Sequence, residues 1–438
     1  MTGAPTTSPS AVFLTHFSPE RLRAHIDGFI DHHRDPLRDG RLSVPRGYDR
    51  LPVEWLDRTN KIGITNRELL VTEISRKVLN GTYVFGPALE RVLSSGTKQR
   101  SVWRSALRDQ IVQYVLCRVL EDLYDARFAN CSYGFRKGRS YHDAVRHLNA
   151  SLESGRTVIF EADIESFFDT ITHDTVLRCA ARLCRRCGPL MDLIREYIRS
   201  SKIPAGSVRA ALRRSRQKPV RDLAEPRDLG VPQGGAVSGI IANLVLHSFD
   251  RHLVKLGYDL IRYADDFVIC CTDSTQALRV RRKVAAMLRR RGLRLHDDPA
   301  KTRVVPIADG LDFLGYQIRG PNHVRVKTSN VTKWRQRIDQ LLGCIRRVGS
   351  DERLLSYMIG RVNLRIEGYE GRNWVSAFKL CTSDAQFRTL DRWLWRRVAT
   401  RYRQLTGKQI KYSDLKRAGL KSLVREYYRT RASLQRRV

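Results

Sequence analysis

The feature that most constrains this chain is a pair of adjacent aspartates between two apolar runs that favour β-strands. Residues 260–271 read LIRYADDFVICC, with Asp265 and Asp266 at the centre. Two neighbouring carboxylates repel each other, and burying them is costly. The short YADD segment suits the tip of a β-hairpin. Such a tip is either an ordinary solvated turn or part of a site that binds cations.

A third aspartate lies at the end of another predicted strand. In residues 156–171, RTVIFEADIESFFDTI, side chains alternate between two faces up to Asp163, where the strand ends. If the two strands are neighbours in one sheet, Asp163 converges with Asp265 and Asp266. Mg²⁺ prefers such hard oxygen ligands and keeps positions open for substrate phosphates. We therefore expect two metal ions, rather than protein cations, to balance these aspartates and support phosphoryl transfer.

The net charge of the chain indicates a polyanionic partner. The 438 residues include 80 Lys and Arg against 45 Asp and Glu, a formal net charge of +35. A nucleic acid is the commonest partner for such a protein. The basic residues are spread along the whole sequence, which favours a long channel over a single basic tail. The alternatives are an organism whose proteins are generally basic and a basic tail like those of ribosomal proteins.

Cysteine usage and hydropathy predict a cytoplasmic protein with no membrane partner. The nine cysteines show no extracellular disulfide framework, and Cys184 and Cys187 lack a second pair at zinc spacing. We expect these two to be buried structural thiols. The N-terminal sequence has no signal-peptide pattern, and no apolar run approaches the length of a membrane span.

The order of the segments predicts an α+β fold. Between residues 155 and 320, short apolar runs alternate with helical patterns, which indicates a small sheet with helices. From about residue 325 the sequence becomes helical and very basic. The first 50 residues are polar and rich in turn formers, and we expect a partly ordered lead-in there.

Several motifs resemble those of reverse transcriptases, most closely the bacterial group II intron-encoded enzymes and their relatives. The motifs are YADD at 263–266, EADIESFFDTI around Asp163, and GVPQGGAVSGIIANLVLHSFD from residue 230. Further segments resemble the family in the expected order, namely EISRKVLNGTYVFGPALERV, KQRSVWRSALRDQIVQ, CSYGFRKGRSYHDAV, LRLHDDPAKTRVV and LDFLGYQI. The resemblance runs from about Leu69 to the C-terminal region.

The resemblance implies a right-hand polymerase with fingers, a palm containing a small antiparallel sheet, and a helical thumb. The expected domains are an N-terminal lead-in (1–60), fingers (61–155), palm with part of the fingers (156–322), and helical thumb with a basic C-terminal extension (323–438). In such an enzyme Asp163, Asp265 and Asp266 are catalytic. The same three aspartates, with Ile164, hold two Mg²⁺ ions, or Mn²⁺ in their place.

The resemblance also assigns residues to the incoming nucleotide. They are Lys98, Arg100, Phe168, Gln233, Gly234 and Lys301. Lys98 and Arg100, on a predicted fingers hairpin, would bind the triphosphate; a solvated basic turn is the alternative. Gln233 and Gly234 form a loop that can lie beneath a base pair, and a plain helix N-cap loop is the alternative there. Phe168 would exclude a ribose 2′-hydroxyl and so favour deoxynucleotides, although Phe167 and Phe168 are both candidates for core packing. Lys301 is either a proton donor to pyrophosphate or a plain ion pair.

Nucleic-acid contacts are expected from Arg136, Arg139 and Tyr263. The two arginines alternate with glycines in YGFRKGRS, a pattern that lets backbone approach a strand while arginines bind its phosphates. A tight turn with exposed charge is the alternative. Ala264, beside the aspartates, leaves room for a primer terminus.

The implied function is RNA-directed DNA synthesis, in which an RNA template, a cDNA primer and deoxynucleotides are the partners. Departures from the intron enzymes, such as AVSG in the loop where they commonly have LSP, favour a stand-alone bacterial enzyme. It would work with a specific non-coding or intron RNA, with antiviral defence as one such role. The alternatives are a maturase-like RNA-binding protein and an RNA-templated RNA polymerase, the second of which Phe168 opposes.

Overall fold

The computed structural model describes residues 8–33, 67–95, 98–204, 224–347, 349–367 and 373–435. The chain divides into two compact units. The first comprises Met1–Ser140, Phe160–Ile269 and Leu278–Arg303, and the second comprises Tyr141–Ile159, Cys270–Ala277 and Val304–Val438. Within the described ranges, no helix combines the length and the apolar character that a bilayer crossing requires. The domain boundaries given above stay predictions.

Helices make up most of the described structure. In chain order they are α1 (Pro9–Phe17), α2 (Pro19–His33), α3 (Arg67–Leu79), α4 (Leu107–Tyr124), α5 (Tyr141–Glu153), α6 (Phe167–Thr170), α7 (His173–Cys184), α8 (Gly188–Arg199), α9 (Ser238–Lys255), α10 (Ser274–Arg289), α11 (Thr328–Cys344), α12 (Asp351–Glu367), α13 (Ala385–Thr406), α14 (Tyr412–Arg417) and α15 (Leu423–Gln435).

The described strands form three small sheets. They are β1 (Ala88–Ser95), β2 (Lys98–Arg104), β3 (Val158–Asp163), β4 (Lys202–Ile203), β5 (Asp259–Tyr263), β6 (Asp266–Cys271), β7 (Arg303–Pro306), β8 (Leu311–Phe313), β9 (Tyr316–Ile318) and β10 (Val324–Val326). The strand orders are β2-β1-β4, β5-β6-β3-β7 and β10-β9-β8. This mixture of helices with small sheets confirms the predicted α+β class.

The expected lead-in contains two ordered helices. Ser8 caps α1, since its side chain accepts a hydrogen bond from the amide of Ala11. Phe13 and Phe17 of α1 are buried, and α1 and α2 pack against α3 and α4. Apolar side chains spaced three and four residues apart therefore organise this segment more than its polar composition suggested.

The sequence TNRELLVTEISRKVLNGTY, residues 65–83, predicts a helix that is capped by Thr65 and has one apolar face, and the structure has α3 there. Thr65, its predicted cap, lies outside the described residues. The predicted apolar face is confirmed, because Leu70, Ile74 and Val78 are all buried.

In the first unit, β1 and β2 form the hairpin expected of the fingers. They pair antiparallel from Leu89↔Arg104 to Ser95↔Lys98, and β1 also pairs in parallel with the short strand β4. Helix α9 is deeply buried in this unit: its residues from Ser238 to Leu246 are all buried. Its apolar length supports the sheet that carries the aspartates.

The second unit contains the predicted basic helical region. Strands β8, β9 and β10 pair antiparallel before α11 begins at Thr328. The rings of Trp334 and Trp374 stack with centroids 5.2 Å apart, and Trp374 meets Phe378 edge to face at 5.1 Å. These aromatic contacts form the core among the C-terminal helices.

Candidate active site at the ends of two neighbouring strands

The three predicted aspartates lie at the ends of neighbouring strands in the first unit. Strand β3 ends at Asp163, while Asp265 belongs to the turn between β5 and β6 and Asp266 begins β6. Strands β3 and β6 are adjacent in their sheet, and the rings of Phe160 and Phe267 meet edge to face at 6.2 Å. All three aspartate side chains are partly exposed. The predicted strand end and hairpin tip are confirmed.

The turn that carries Asp265 has an unusual backbone. Ala264 adopts a φ of 62°, a value that two-residue hairpin turns need but that side chains other than glycine disfavour. Gly134 lies directly against this turn, because a Cβ at position 134 would be 2.6 Å from the backbone nitrogen of Ala264. The glycine in CSYGFR therefore permits a close approach to the aspartate turn.

A buried arginine holds the turn from beneath. Arg262 is fully buried, and its Nε and Nη2 donate to the two carboxylate oxygens of Asp250, at 2.8 and 2.5 Å. Its remaining donors reach Asn243 Oδ1 at 3.0 Å, Ser132 Oγ at 2.8 Å and the carbonyl oxygen of Ala264 at 2.8 Å. All five guanidinium N–H groups thus have acceptors. We call Arg262, Asp250, Asn243 and Ser132 the arginine hub.

The arginine hub joins three segments of the first unit. Asp250 and Asn243 lie on α9, Arg262 lies on β5, and Ser132 belongs to the CSYGFR segment, whose backbone pairs with β5. Burial alone would lower the pKa of Arg262, but the carboxylate of Asp250 outweighs it and the pKa lies above its usual value. The hub is therefore charged and fully satisfied, which fixes the position of the aspartate turn.

A lysine contacts one of the three aspartates directly. Lys301 Nζ lies 2.9 Å from Asp163 Oδ2, and both side chains are partly exposed, at 36% and 27%. Asp298 shapes the turn that delivers Lys301, since its carbonyl oxygen accepts from the amides of Lys301 and Thr302. The expectation that metal ions alone balance the aspartates is therefore corrected. Of the two roles considered for Lys301, the structure shows the ion pair.

The predicted sugar gate is partly exposed and anchored to the glycine-rich loop. Phe167 is buried, whereas Phe168 is only partly buried. The carbonyl oxygen of Phe168 accepts from the amide of Val231 at 2.7 Å. A Cβ at Gly230, where φ is 80°, would lie 2.8 Å from that carbonyl oxygen. Of the two phenylalanines, Phe167 is the core residue and Phe168 keeps an accessible face.

The Gln-Gly loop is tied to the fingers hairpin. The carbonyl oxygen of Gln233 accepts from the amide of Trp103 on β2 at 2.9 Å. Gly234 has a φ of 96°, and a Cβ there would lie 2.4 Å from Cγ1 of Val102. The loop consequently needs glycine for both its conformation and its contact with β2. Lys98 and Arg100 lie on the same strand, but their side chains are outside the described residues.

Arg136 has a different role from the predicted phosphate contact. Its side chain is 4% exposed and forms an ion pair with Asp125, with Nε 2.8 Å from Oδ1. Its other donors reach the carbonyl oxygens of Ala129, Ser132 and Asp125. Because every N–H group is used internally, Arg136 holds its own loop together. The alternation of glycine and arginine indicated a loop correctly but did not reveal this burial.

The other predicted residues lie in varied surroundings. Arg139 is partly exposed, and its guanidinium donates to the carbonyl and side-chain oxygens of Asn130, both at 2.7 Å. Tyr263 is partly buried, and burial raises its pKa. Ile164 is buried and forms a backbone bridge with Leu295. Cys184 and Cys187 are buried free thiols, as predicted.

The donor chemistry of the aspartates fits a hard divalent cation. Three partly exposed carboxylates at adjacent strand ends supply the oxygen ligands that Mg²⁺ and Mn²⁺ prefer. Over the described residues, however, no three Asp, Glu, His or Cys side chains are gathered tightly enough to form a ligand group. One oxygen of Asp163 also faces Lys301. A metal ion bound to that oxygen would compete with Lys301 for it.

Sequence reasoning missed the arginine hub. Its members are separated by up to 130 residues along the chain, as Arg262 and Ser132 are. Two signals were nevertheless present: a charged Arg262 inside an apolar strand, and a charged Asp250 inside the apolar helix α9. Buried charges of opposite sign normally pair, so these two residues were candidates for one ion pair.

Comparisons with known proteins agree with these motifs. The family model described as reverse transcriptase (RNA-dependent DNA polymerase) matches residues 95–318. Protein YkfC of Escherichia coli is 28% identical over 303 residues, which cover 60% of this chain and 75% of YkfC. Group II intron-encoded protein LtrA of Lactococcus lactis subsp. cremoris is 25% identical over 188 residues, 42% of this chain but only 28% of LtrA.

A solved structure of telomerase from Candida albicans is also similar, with a TM-score of 0.43 and 13% identity over 78% of this chain and 62% of that one. This chain thus spans most of YkfC but little more than a quarter of LtrA.

Proposed function

Because the chain belongs to the reverse transcriptase family, we propose that it copies an RNA template into DNA at the site formed by Asp163, Asp265 and Asp266. The observation that carries this proposal is the placement of the three carboxylates at the ends of β3 and β6, with the turn held by the arginine hub. The matched family region, residues 95–318, includes all three aspartates. Their partial exposure leaves them accessible to substrate.

The proposed cofactor is a pair of Mg²⁺ ions, or Mn²⁺ in their place. Asp163, Asp265 and Asp266 would hold the ions, with Ile164 beside them. Bound ions would supply charge neutralisation for the transferred phosphoryl group. The protein's own contribution is to fix the carboxylates: the hub holds the Asp265 turn, and strand pairing holds Asp163.

The remaining predicted residues would bind the substrates. Gln233 and Gly234 are anchored to the fingers hairpin, and Phe168 is anchored to the same loop through Val231. We propose that this loop carries the templating base pair and that Phe168 faces the sugar. Lys98, Arg100, Arg139 and Tyr263 keep their proposed roles with triphosphate or nucleic acid.

Loss of a single aspartate tests the proposal. Asp265→Ala should lower DNA synthesis on an RNA template by at least about 10³-fold, because the site loses a ligand for its metal ions. The affinity for RNA should stay within about twofold, since RNA binding depends on distributed cations. The measurements are primer extension with labelled deoxynucleotides and a filter-binding assay on the same protein samples.

The matched control is Asp174→Ala on α7. Asp174 is 74% exposed and, among the described residues, forms an ion pair with Arg178, one turn away on the same helix, at 3.2 Å. This variant should retain full synthesis. Undiminished synthesis by Asp265→Ala would show that the aspartate site is not the polymerase centre.

The sugar gate has its own test. Phe168→Ala should raise the use of ribonucleotides relative to deoxynucleotides by about tenfold or more, because a bulky ring no longer opposes the 2′-hydroxyl. The ratio of kcat/KM values for the two nucleotide classes is the measurement. Phe167→Leu, at the neighbouring buried position, should leave that ratio unchanged. An unchanged ratio in Phe168→Ala would remove Phe168 from the gate.

A second candidate function is RNA folding or splicing assistance, which the similarity to an intron-encoded protein favours. The variant Asp265→Ala distinguishes DNA synthesis from RNA folding, because it should lose only the first activity. If the main role is that of a maturase, this variant will still promote folding of its RNA when synthesis is lost. A stand-alone bacterial enzyme that works with its own structured RNA remains our leading proposal, and a role in antiviral defence stays a prediction.

A further inference from the structure

A concave basic surface lies in the first unit, away from the aspartates. It is a cavity of about 660 Å³, and six of its lining residues are basic: Arg127, Arg182, His247, Arg251, His252 and Lys255. We call it the basic cavity. None of the residues predicted to bind metal, nucleotide or template lines it. It is therefore a site that the proposed chemistry leaves unexplained.

The charge of the basic cavity is uncompensated within the described part of the chain. Among its described lining residues there is no aspartate or glutamate, and Arg127, Arg182, Arg251 and Lys255 form no ion pair with a described residue. Arg178, on the same helix as Arg182, does pair with a carboxylate, that of Asp174. Like charges gathered around one concavity repel each other unless an anion binds between them.

The basic side chains of α9 form an ordered row, in which Arg251 and Lys255 are the cations, because burial lowers the pKa of His247. His247, Arg251 and Lys255 follow each other at four-residue intervals on α9, so they lie about 6 Å apart along the helix axis. Such a step resembles that between successive phosphates of a nucleic-acid strand. Arg182 from α7 and Arg127 face the row from two other elements. Three elements thus present cations to one groove.

Two polar features add to the charge. His247 Nδ1 is buried without a hydrogen-bond partner among the described atoms, which leaves a polar group for a ligand to satisfy. Asn130 lines the cavity and accepts two hydrogen bonds from Arg139. Arg139 is therefore hydrogen-bonded to a residue of the cavity wall, although it does not itself line the cavity.

The lining indicates backbone recognition. No Phe, Tyr or Trp is among the described lining residues, so the cavity has no platform on which a base would stack. Arginine and lysine side chains suit phosphate oxygens. We propose that the basic cavity binds consecutive backbone phosphates of the RNA with which the enzyme works, at a position outside the polymerase centre. This inference rests on the proposed function, because that function makes RNA the partner.

The test removes three cations from the cavity. The variant Arg182→Gln, Arg251→Gln, Lys255→Gln should bind a structured hairpin RNA about tenfold more weakly at moderate salt. The slope of log Kd against log salt concentration should fall by about 2 to 3, because three phosphate contacts no longer release counterions. Its melting temperature should not fall, since the removed charges repel one another. Fluorescence anisotropy across a salt series and thermal melting are the measurements.

The control carries the same charge loss elsewhere in the first unit. Arg279→Gln, Arg282→Gln, Lys283→Gln removes two arginines and one lysine from exposed positions of α10 that do not line the cavity. In this control, the slope of log Kd against log salt concentration should change by less than about 1. Equal changes in both triple variants, or no change in either, would overturn the proposal by showing only a general effect of charge.

Two further measurements separate this inference from its premise. Primer extension on a short template, too small to reach beyond the polymerase centre, should be normal in the cavity variant. If the unaltered enzyme fails to extend the primer, the proposed function is wrong. Inorganic tripolyphosphate should compete with hairpin RNA only at high concentration. Tight tripolyphosphate binding that depends on Arg251, with hairpin binding unchanged in the variant, would assign the cavity to small polyphosphates and overturn the RNA assignment.

Discussion

Two ion pairs occur at the predicted catalytic site, one beneath the YADD turn and one that includes Asp163 itself, and they differ in exposure and in hydrogen bonding. Arg262 and Asp250 are both 0% exposed and are surrounded by further hydrogen-bond partners. Lys301 and Asp163 are 36% and 27% exposed and share a single contact at 2.9 Å. One pair belongs to the scaffold of the YADD turn, whereas the other includes a predicted metal ligand.

The difference indicates which parts of the site are fixed and which can exchange partners. A buried pair is hard to break, because removing one partner leaves the other charge without solvent. A partly exposed pair contributes little to stability, because water and salt compete with it. We infer that the arginine hub sets the position of Asp265, while Lys301 holds Asp163 only until a stronger cation replaces it.

The largest expected effect comes from breaking the buried pair. Arg262→Met should lower the free energy of unfolding by about 3–5 kcal/mol, because Asp250 is left buried and uncompensated. Arg262→Lys should be nearly as damaging, since an ammonium group cannot reproduce the five-donor fork. Urea unfolding followed by tryptophan fluorescence measures both. The double variant Arg262→Met, Asp250→Leu should recover much of the loss, because both charges are then gone.

An exposed ion pair provides the control for this experiment. Arg397 and Asp339 are 47% and 40% exposed with a 2.7 Å contact, so Arg397→Met should cost less than about 1 kcal/mol. If Arg262→Met proves no more costly than Arg397→Met, burial does not distinguish the two kinds of pair and the comparison fails.

A methyl group beside the turn sharpens the comparison. In Gly134→Ala the new Cβ would lie 2.6 Å from the nitrogen of Ala264, so the turn or the CSYGFR segment must move. Because the hub holds the turn, we expect a loss of about 1–3 kcal/mol of stability and at least about tenfold of polymerase activity. RNA affinity should be unchanged. Unfolding and primer extension are measured together.

Gly188→Ala is the matched control, since a Cβ at Gly188 would meet nothing within 4 Å. It should be close to neutral in both assays. Full activity in Gly134→Ala would mean that the turn yields easily and that the hub does not fix it.

The sequence was a good guide wherever the signal was local. The alternation of side chains predicted strand β3, and turn-forming residues predicted the β5–β6 hairpin. Strand β3 ends at Asp163, and the turn of the hairpin carries Asp265 and Asp266. The glycines of the Gln-Gly loop were likewise visible in the sequence. The side chain that would clash with a larger residue at position 234, that of Val102, comes from a strand distant in sequence. Local periodicity therefore located the site without explaining what holds it.

Non-local contacts account for what the sequence did not show. Arg136 resembled a phosphate-binding arginine, yet Asp125 and three carbonyl groups bury it. Lys301 meets Asp163 across 138 residues of sequence. The side chain opposite a charged residue depends on the packing of separate segments, and nothing in a short window of sequence specifies it.

The smallest effect on stability is expected from the exposed pair, where metal affinity is the informative quantity. Lys301→Gln should change the free energy of unfolding by less than about 1 kcal/mol. It should strengthen Mn²⁺ binding severalfold, because a cation that competes for Asp163 Oδ2 is removed. Calorimetric titration with Mn²⁺ measures the affinity.

The control is Lys327→Gln, which breaks the similarly exposed ion pair with Asp312 at 3.3 Å and should leave Mn²⁺ binding unchanged. Weaker Mn²⁺ binding in Lys301→Gln would instead show that Lys301 organises Asp163 for the metal, and both pairs would then count as scaffold.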